Sequence, residues 1–165
     1  HMTERQPVPM PSSPDTLLTP REHYVMDRVV CGDNDRQIGH LLGISPQTVT
    51  HHVHSVCLKL GVPNRTAAAV WYDLRHGQPA TEDGRQPPHE PLSPQERRVI
   101  ELVAEGVGDP QIAAHLGVSF SSVRQYLLSV RRKLDAPNRT AAAVEYYRQE
   151  RALSHMKKTG SDSEG

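Results

Sequence analysis

The chain has 165 residues, and its 19 Lys and Arg residues balance its 19 Asp and Glu residues, so the formal net charge is zero. With one Phe and one Trp, any core must be built from aliphatic side chains. No apolar run approaches the roughly 20 residues of a transmembrane helix, and the two cysteines lack metal-ligand spacing. Composition therefore argues against a membrane protein and a disulfide-rich secreted protein, and we expect the chain in the cytoplasm.

The octapeptide PNRTAAAV occurs twice, at 63–70 and at 137–144. A shift of 74 positions places 18–75 over 92–149 without a gap, and more than two fifths of the paired residues are identical. Solenoid units recur at roughly 20–50 residues, so this longer period indicates a duplicated domain. Both copies carry a small excess of Lys and Arg, six against five acidic residues in the first and eight against six in the second. The zero total charge conceals this.

The duplication predicts the domain boundaries. We expect a disordered N-terminal arm over 1–17, a first domain over 18–75, a second domain over 92–152 and a disordered C-terminal tail over 153–165. The segment 76–91 is polar and contains four prolines, which predicts a flexible linker.

Each copy carries start signals for four helices and no long stretch with the two-residue period of a strand, which predicts an all-α fold. Capping boxes with a proline at the first helical position mark the first helix. The predicted N-caps of the four helices in the two copies are Thr19 and Ser93, Asp35 and Asp109, Ser45 and Ser119, and Asn64 and Asn138.

The third helix of each copy has an apolar stripe at helical spacing. A short helix and a glycine turn precede it, which together predict a helix-turn-helix. The stripe comprises Val49, Val53, Val56 and Leu60 in the first copy and Val123, Leu127, Val130 and Leu134 in the second.

Both copies resemble the LuxR/GerE type of helix-turn-helix domain. The first carries LTPRE, QIGHLLGIS, TVTHHV, KLGV and NRTAAAV, and the second carries LSPQE, QIAAHLGVS, SVRQYL, RKL and NRTAAAV. The resemblance implies two tandem four-helix domains of a bacterial DNA-binding transcription regulator. It also implies pairing through the last helix, which is common in this family.

The third helix of such a domain enters the major groove, where exposed residues near its N-terminus reach base edges. Arg bonds bidentately to guanine and Gln to adenine, so the second copy is better equipped for direct readout. The family usually has Lys or Arg where Thr50 stands. The expected base contacts are Gln47, Thr50, His51 and His54 in the first copy and Ser121, Arg124, Gln125 and Leu128 in the second.

Phosphate contacts are expected from side chains that flank these positions. For the run 131–133, a solvated basic face is the alternative interpretation. The expected phosphate contacts are Thr48, His52 and Lys59 in the first copy and Ser122, Tyr126, Arg132 and Lys133 in the second.

The repeated alanines have two interpretations, packing inside each domain or a surface where two fourth helices approach closely. A stretch kept identical while the third helices differ favours the surface, because core packing tolerates other apolar residues. The expected pairing residues are Ala68, Trp71 and Leu74 in the first copy and Ala142, Glu145 and Tyr146 in the second.

Neither a metal nor a cofactor is expected. His51 and His54 are spaced like metal ligands, but no Cys or carboxylate nearby in the sequence completes a tetrahedral set. No phosphate loop, nucleophile elbow or pair of carboxylates suggests an enzyme.

These observations favour a transcription regulator whose tandem domains read adjacent half-sites of double-stranded DNA. The expected partners are DNA, a second fourth helix in the same or another chain, and RNA polymerase or another regulator. The rival hypothesis is a protein-binding adaptor or antagonist of another regulator that acts through its fourth helices. Zero net charge and the neutral third helix of the first copy favour that rival.

Overall fold

The computed structural model describes residues 18–76 and 90–164, and their secondary structure is entirely helical, as predicted. The predicted arm at 1–17 and nearly all of the predicted linker at 76–91 lie outside the described residues. The helices of the described part are α1 (Pro20–Val30), α2 (Asp35–Leu42), α3 (Pro46–Leu60), α4 (Arg65–His76), α5 (Pro94–Ala104), α6 (Asp109–Leu116), α7 (Phe120–Leu134) and α8 (Arg139–Glu164). Helix α8 thus continues past residue 152, where the sequence predicts that the second domain ends.

Most of the predicted N-caps are present. In α1 the Thr19 hydroxyl accepts a hydrogen bond from the Glu22 amide at 3.1 Å, and the Glu22 carboxylate accepts one from the Thr19 amide at 2.9 Å. Ser93 and Glu96 form the same box in α5. The other side-chain caps that the sequence predicts correctly are Ser45 in α3, Ser119 in α7, Asn64 in α4 and Asn138 in α8.

The predicted caps of the second helices, Asp35 and Asp109, are wrong. Asn34 caps α2 through a box with Gln37, and Gly108 precedes α6 without a side-chain cap. The two aspartates are instead the first residues of their helices. Their carboxylates bind arginines of the fourth helices, which sequence distance does not reveal.

The helix-turn-helix geometry is the same in both repeats. Gly43 ends α2 at φ +71° and Gly117 ends α6 at φ +68°, in the left-handed region where a glycine lacks the steric penalty of a side chain. The serine cap of the next helix follows two residues later. The apolar stripe on α3 and α7 is buried, except that Leu60 is half-buried, so the opposite face of each helix is directed to solvent.

The two repeats contact each other through their fourth helices, within one chain. At the centre, the Thr66 and Thr140 hydroxyls are buried and lie 2.9 Å apart. Since these residues occupy the same position in the two repeats, the contact is close to twofold symmetric, like the contact in a homodimer.

The residues that precede the fourth helices make this contact reciprocal. The Asn64 side-chain amide donates to the Gly106 carbonyl at 3.2 Å, and the Asn138 amide donates to the Gly32 carbonyl at 2.8 Å. Each proline before these asparagines also lies against the same glycine of the other repeat. The shared octapeptide therefore both caps its own helix and binds the glycine turn after the first helix of the other repeat.

One ion pair breaks the symmetry of the contact. Asp73 of α4 is buried and accepts two hydrogen bonds from Arg148 of α8, at 2.7 and 3.1 Å, and one from Arg151 at 3.2 Å. The positions that correspond by the repeat carry Tyr147 and Leu74, so the second repeat has no equivalent pair. This bidentate bridge fixes α8 against α4 on one side of the pseudo-twofold axis.

Candidate nucleic-acid interface

The structure leaves every predicted base-contacting side chain exposed to solvent. In α3 and α7 the first two turns follow directly after the serine cap, and the valines turn inward and hold the helix on the core. The eight exposed side chains are Gln47, Thr50, His51 and His54 on α3 and Ser121, Arg124, Gln125 and Leu128 on α7. The exposed face is polar on α3 and carries both polar side chains and Leu128 on α7.

The two faces differ most at the position shared by Thr50 and Arg124. The Thr50 hydroxyl donates to the Asp35 carboxylate at 2.5 Å and to the Pro46 carbonyl at 3.1 Å. Asp35 is also paired with Arg65 at 2.6 Å. The donor of Thr50 is therefore already engaged inside the first repeat.

In the second repeat, Arg139 takes up both oxygens of Asp109, at 2.8 and 2.9 Å. These hydrogen bonds lower the pKa of Asp109 against the opposing effect of burial, and the nearby charge of Arg124 lowers it further. Arg124 itself is exposed. The side chain is therefore accessible to solvent, while its charge acts on the Asp109 carboxylate.

Two of the residues predicted to contact phosphate form ion pairs with buried glutamates. Lys59 binds the buried Glu22 at 2.8 Å, and Lys133 binds the buried Glu96 at the same distance. Burial raises the pKa of Glu96, but the hydrogen bonds from Lys133 and Ser129 outweigh it and lower the pKa to about 2. Burial and hydrogen bonding oppose each other in the same way at Glu22, and the pKa is again lowered.

Glu22 and Glu96 are candidate functional residues that the sequence predicted only as members of the capping boxes. Each joins the start of a first helix to the end of a third helix. A signal was present, because Glu and Lys recur 37 residues apart in both repeats. Their side chains are the link between the core and the proposed interface.

The other predicted phosphate contacts lie near the surface. Thr48 and Ser122 share hydrogen bonds with the capping serines Ser45 and Ser119, each at 3.0 Å. The remaining three are His52 and Tyr126, which are half-buried, and Arg132, which is exposed and lies 3.8 Å from Glu90. A pair this long and this exposed contributes little to stability, and a phosphate contact of Arg132 stays a prediction.

The predicted pairing residues occupy several environments. Ala68 and Ala142 are completely buried and lie about 200° around their helices from Thr66 and Thr140. They lie on a different side of their helices from the two threonines, and their part in pairing stays a prediction. The contact within the chain uses the threonines and Asp73.

The aromatic and charged members of the same set bind within their own repeats. Tyr146 is buried and donates to Glu101 of α5 at 2.5 Å; burial and this hydrogen bond raise its pKa. Glu145 accepts from Gln149 at 3.0 Å. Trp71 is half-buried, and Leu74 is exposed by 51%. An association between chains through these residues stays a prediction.

Other candidate sites are few in the described residues. Neither range contains a group of three or more His, Cys, Asp or Glu side chains that could hold a metal ion. Cys31 is exposed and Cys57 is buried, and both are free thiols; burial raises the pKa of Cys57, as expected for a packing residue. A search of the same ranges finds no helix whose length and hydropathy suit a membrane crossing.

Comparison with known proteins identifies the repeated unit. The family model for bacterial regulatory proteins of the luxR family, GerE, matches residues 16–72 and again 90–146. Together the two matches cover more than two thirds of the chain. No solved structure matches the chain significantly.

Several transcription regulators are similar to part of the chain. The nitrate/nitrite response regulator protein NarP of Escherichia coli K12 is 32% identical over 77 residues, which are 47% of this chain and 36% of NarP. The transcriptional regulatory protein TdiR of Thauera aromatica is 36% identical over 70 residues, 42% of this chain and 30% of TdiR. The transcriptional activator protein BjaR1 of Bradyrhizobium diazoefficiens is 39% identical over 71 residues, 43% of this chain and 28% of BjaR1.

The chain thus spans about a third of the length of the curated relatives it matches. Because the family model matches in both repeats and over most of the chain, the protein belongs to the luxR family of bacterial regulatory proteins and carries the family's domain twice.

Proposed function

We propose that this chain is a DNA-binding transcription regulator that places α3 and α7 in the major grooves of adjacent half-sites. The observation that carries the proposal is that all eight predicted base-contacting side chains are exposed on two serine-capped helices. The similarity to transcription regulators over the same unit supports it.

The arrangement of the repeats supports one site with two halves. The contact between α4 and α8 is reciprocal, so α3 and α7 are related by an approximate twofold rotation. Two helices related in this way meet half-sites of opposite orientation, because operator symmetry follows protein symmetry. One chain would then cover both halves.

The second repeat should contribute more of the specific affinity. Arg124 and Gln125 are exposed on α7 and have the geometry for bidentate readout of guanine and adenine. Their counterparts are Thr50, which is bonded to Asp35, and His51.

Substitution at the shared position of the two repeats tests this proposal. Fluorescence anisotropy with duplexes selected by the full chain should show that Arg124→Ala weakens binding by about 1–3 kcal/mol, the value of a bidentate base contact. The matched variant Thr50→Ala should cost less. Equal losses would contradict the ranking, and a wild-type chain that selects no duplex at low salt would contradict DNA binding itself.

A second candidate function is protein binding by the first repeat. Leu58 of α3 is exposed by 70% and Leu41 of α2 by 53%, and the position of Leu58 in the second repeat carries Arg132. An exposed leucine in place of an arginine suits a contact with another protein better than a contact with a DNA phosphate. Leu58→Arg should strengthen DNA binding if the first repeat lies on DNA, and should leave it unchanged if that repeat serves an adaptor.

A further inference from the structure

Two large apolar side chains are exposed on α7 although this helix already has a complete buried stripe. Phe120 is exposed by 48% and Leu128 by 61%, while Val123 and Val130 are fully buried. The two exposed residues lie outside this buried stripe.

Phe120 and Leu128 lie on one line with Arg124. The three occupy positions i, i+4 and i+8, which follow one another along the same side of a helix with an offset of about 40° at each step. In the first repeat, this line carries Pro46, Thr50 and His54, so the apolar pair belongs to the second repeat alone.

The surroundings of this line suit DNA better than an apolar protein partner. Helix α7 contains four cations and no acidic residue. Its only large exposed apolar groups flank the residue suited to guanine, on the face that the serine cap directs outward. The positive charge of α7 as a whole complements phosphate. The two apolar side chains need a nonpolar contact inside a polar groove.

The major groove offers one such contact, the C5-methyl group of thymine. Four residues of helix rise by about 6 Å, which is close to the rise of two base pairs. We propose that α7 reads a guanine through Arg124 and a thymine methyl on either side of it, one through Phe120 and one through Leu128. This inference rests on the DNA-binding function proposed above. It names three bases of the second half-site, one guanine and a thymine on either side of it.

The test uses the full chain and duplex DNA. A random pool of duplexes is first selected with the wild-type chain. Each thymine of the best duplex is then replaced by deoxyuridine, which pairs like thymine and lacks only the methyl group. Replacing either of the two thymines that flank one guanine should weaken binding by about fourfold. This is the effect expected when the contact of one buried methyl group is lost.

Variants then assign each methyl group to its side chain. Phe120→Ala should weaken binding, and in this variant replacing one of the two thymines by uracil should have no further effect on affinity. Leu128→Ala should remove the effect of replacing the other thymine. His54→Ala, at the position of Leu128 in the first repeat, is the matched control and should keep both sensitivities. Because these side chains are exposed, thermal unfolding should match the wild type and so confirm that the variants are folded.

The outcomes separate this inference from the function it rests on. Enrichment of a duplex that binds equally well with uracil at every position would overturn the thymine contacts and leave DNA binding intact. Uracil sensitivity that persists in both Phe120→Ala and Leu128→Ala would also overturn them. A pool without enrichment would overturn the proposed function.

Discussion

Gly106→Ala should disturb the contact between the two repeats, because the added methyl group has no room. A Cβ placed on Gly106 lies 2.3 Å from Cγ of Pro63 and 3.3 Å from its Cβ. Carbon atoms in contact prefer about 3.5–4.0 Å, so the groups must separate by more than ~1 Å. A proline ring cannot turn aside as a flexible side chain can. The backbone that carries the two repeats must therefore move.

Two costs add in this variant. Gly106 has φ +91°, and an L side chain in the left-handed region costs about 1–2 kcal/mol. Overpacking costs about 1–3 kcal/mol more. The free energy of unfolding should therefore fall by roughly 2–5 kcal/mol. Gly117 of the same repeat has φ +68° and nothing within 4 Å of its Cβ, so Gly117→Ala carries the backbone cost alone.

Urea unfolding followed by circular dichroism measures the difference between the two variants. Combining Gly106→Ala with Pro63→Ala removes the ring carbon at 2.3 Å, and the double variant should regain most of the overpacking cost. This coupling between residues of different repeats is the signature of the contact. Equal losses from Gly106→Ala and Gly117→Ala, or additive effects of Pro63→Ala and Gly106→Ala, would refute the close approach.

Two further predictions concern stability. The pKa of Glu96 is about 2 in the folded chain against an ordinary value of 4.5, so the folded state binds fewer protons between these values. The ionised Glu96 should contribute up to about 3 kcal/mol to the free energy of unfolding above pH 4.5, and this contribution should be lost as the pH falls towards 2. Glu96→Gln should therefore flatten the acid side of a plot of melting temperature against pH. An unchanged slope would count against the stabilising pair of Glu96 and Lys133. Asp135 ends α7 at φ +55°, where the first repeat has Gly61 at φ +70°. Asp135→Gly should raise the free energy of unfolding by up to about 1 kcal/mol, and Gly61→Asp should lower it by a similar amount. Changes of the opposite sign would refute backbone strain at Asp135.

The sequence predicts local features of this fold well and distant pairings poorly. The capping boxes, the glycine turns and the buried stripe of α3 and α7 follow from residue types at short spacing, and the structure contains them. Asp35 has the right chemistry for an N-cap, but Arg65 lies 30 residues away and binds it. A cap prediction weighs only the neighbouring residues, so it could not anticipate this competition.

The contact between the repeats shows a second limit. Identity of the octapeptide directs attention to the fourth helices, but it does not say which of the eight residues form the contact. Helical geometry would have separated Ala68 from Thr66, since two residues turn by about 200°. Asp73, by contrast, lies seven residues after Thr66 and on the same side. Its partners, Arg148 and Arg151, break the repeat and could not be found by comparing the copies.

The contact between α4 and α8 also has a consequence for how the protein responds to its own abundance. Repeats joined in one chain meet at an effective concentration on the order of millimolar, whatever the number of molecules in the cell. When a regulator is a dimer of separate chains, the concentration of dimers falls more steeply than the total concentration of chains. Its occupancy of DNA therefore depends on the chain concentration in a sigmoidal way. With both repeats in one chain, dilution does not separate them into different molecules. On the DNA-binding function proposed above, occupancy should then rise hyperbolically from the first few molecules, which suits a graded response at low copy number.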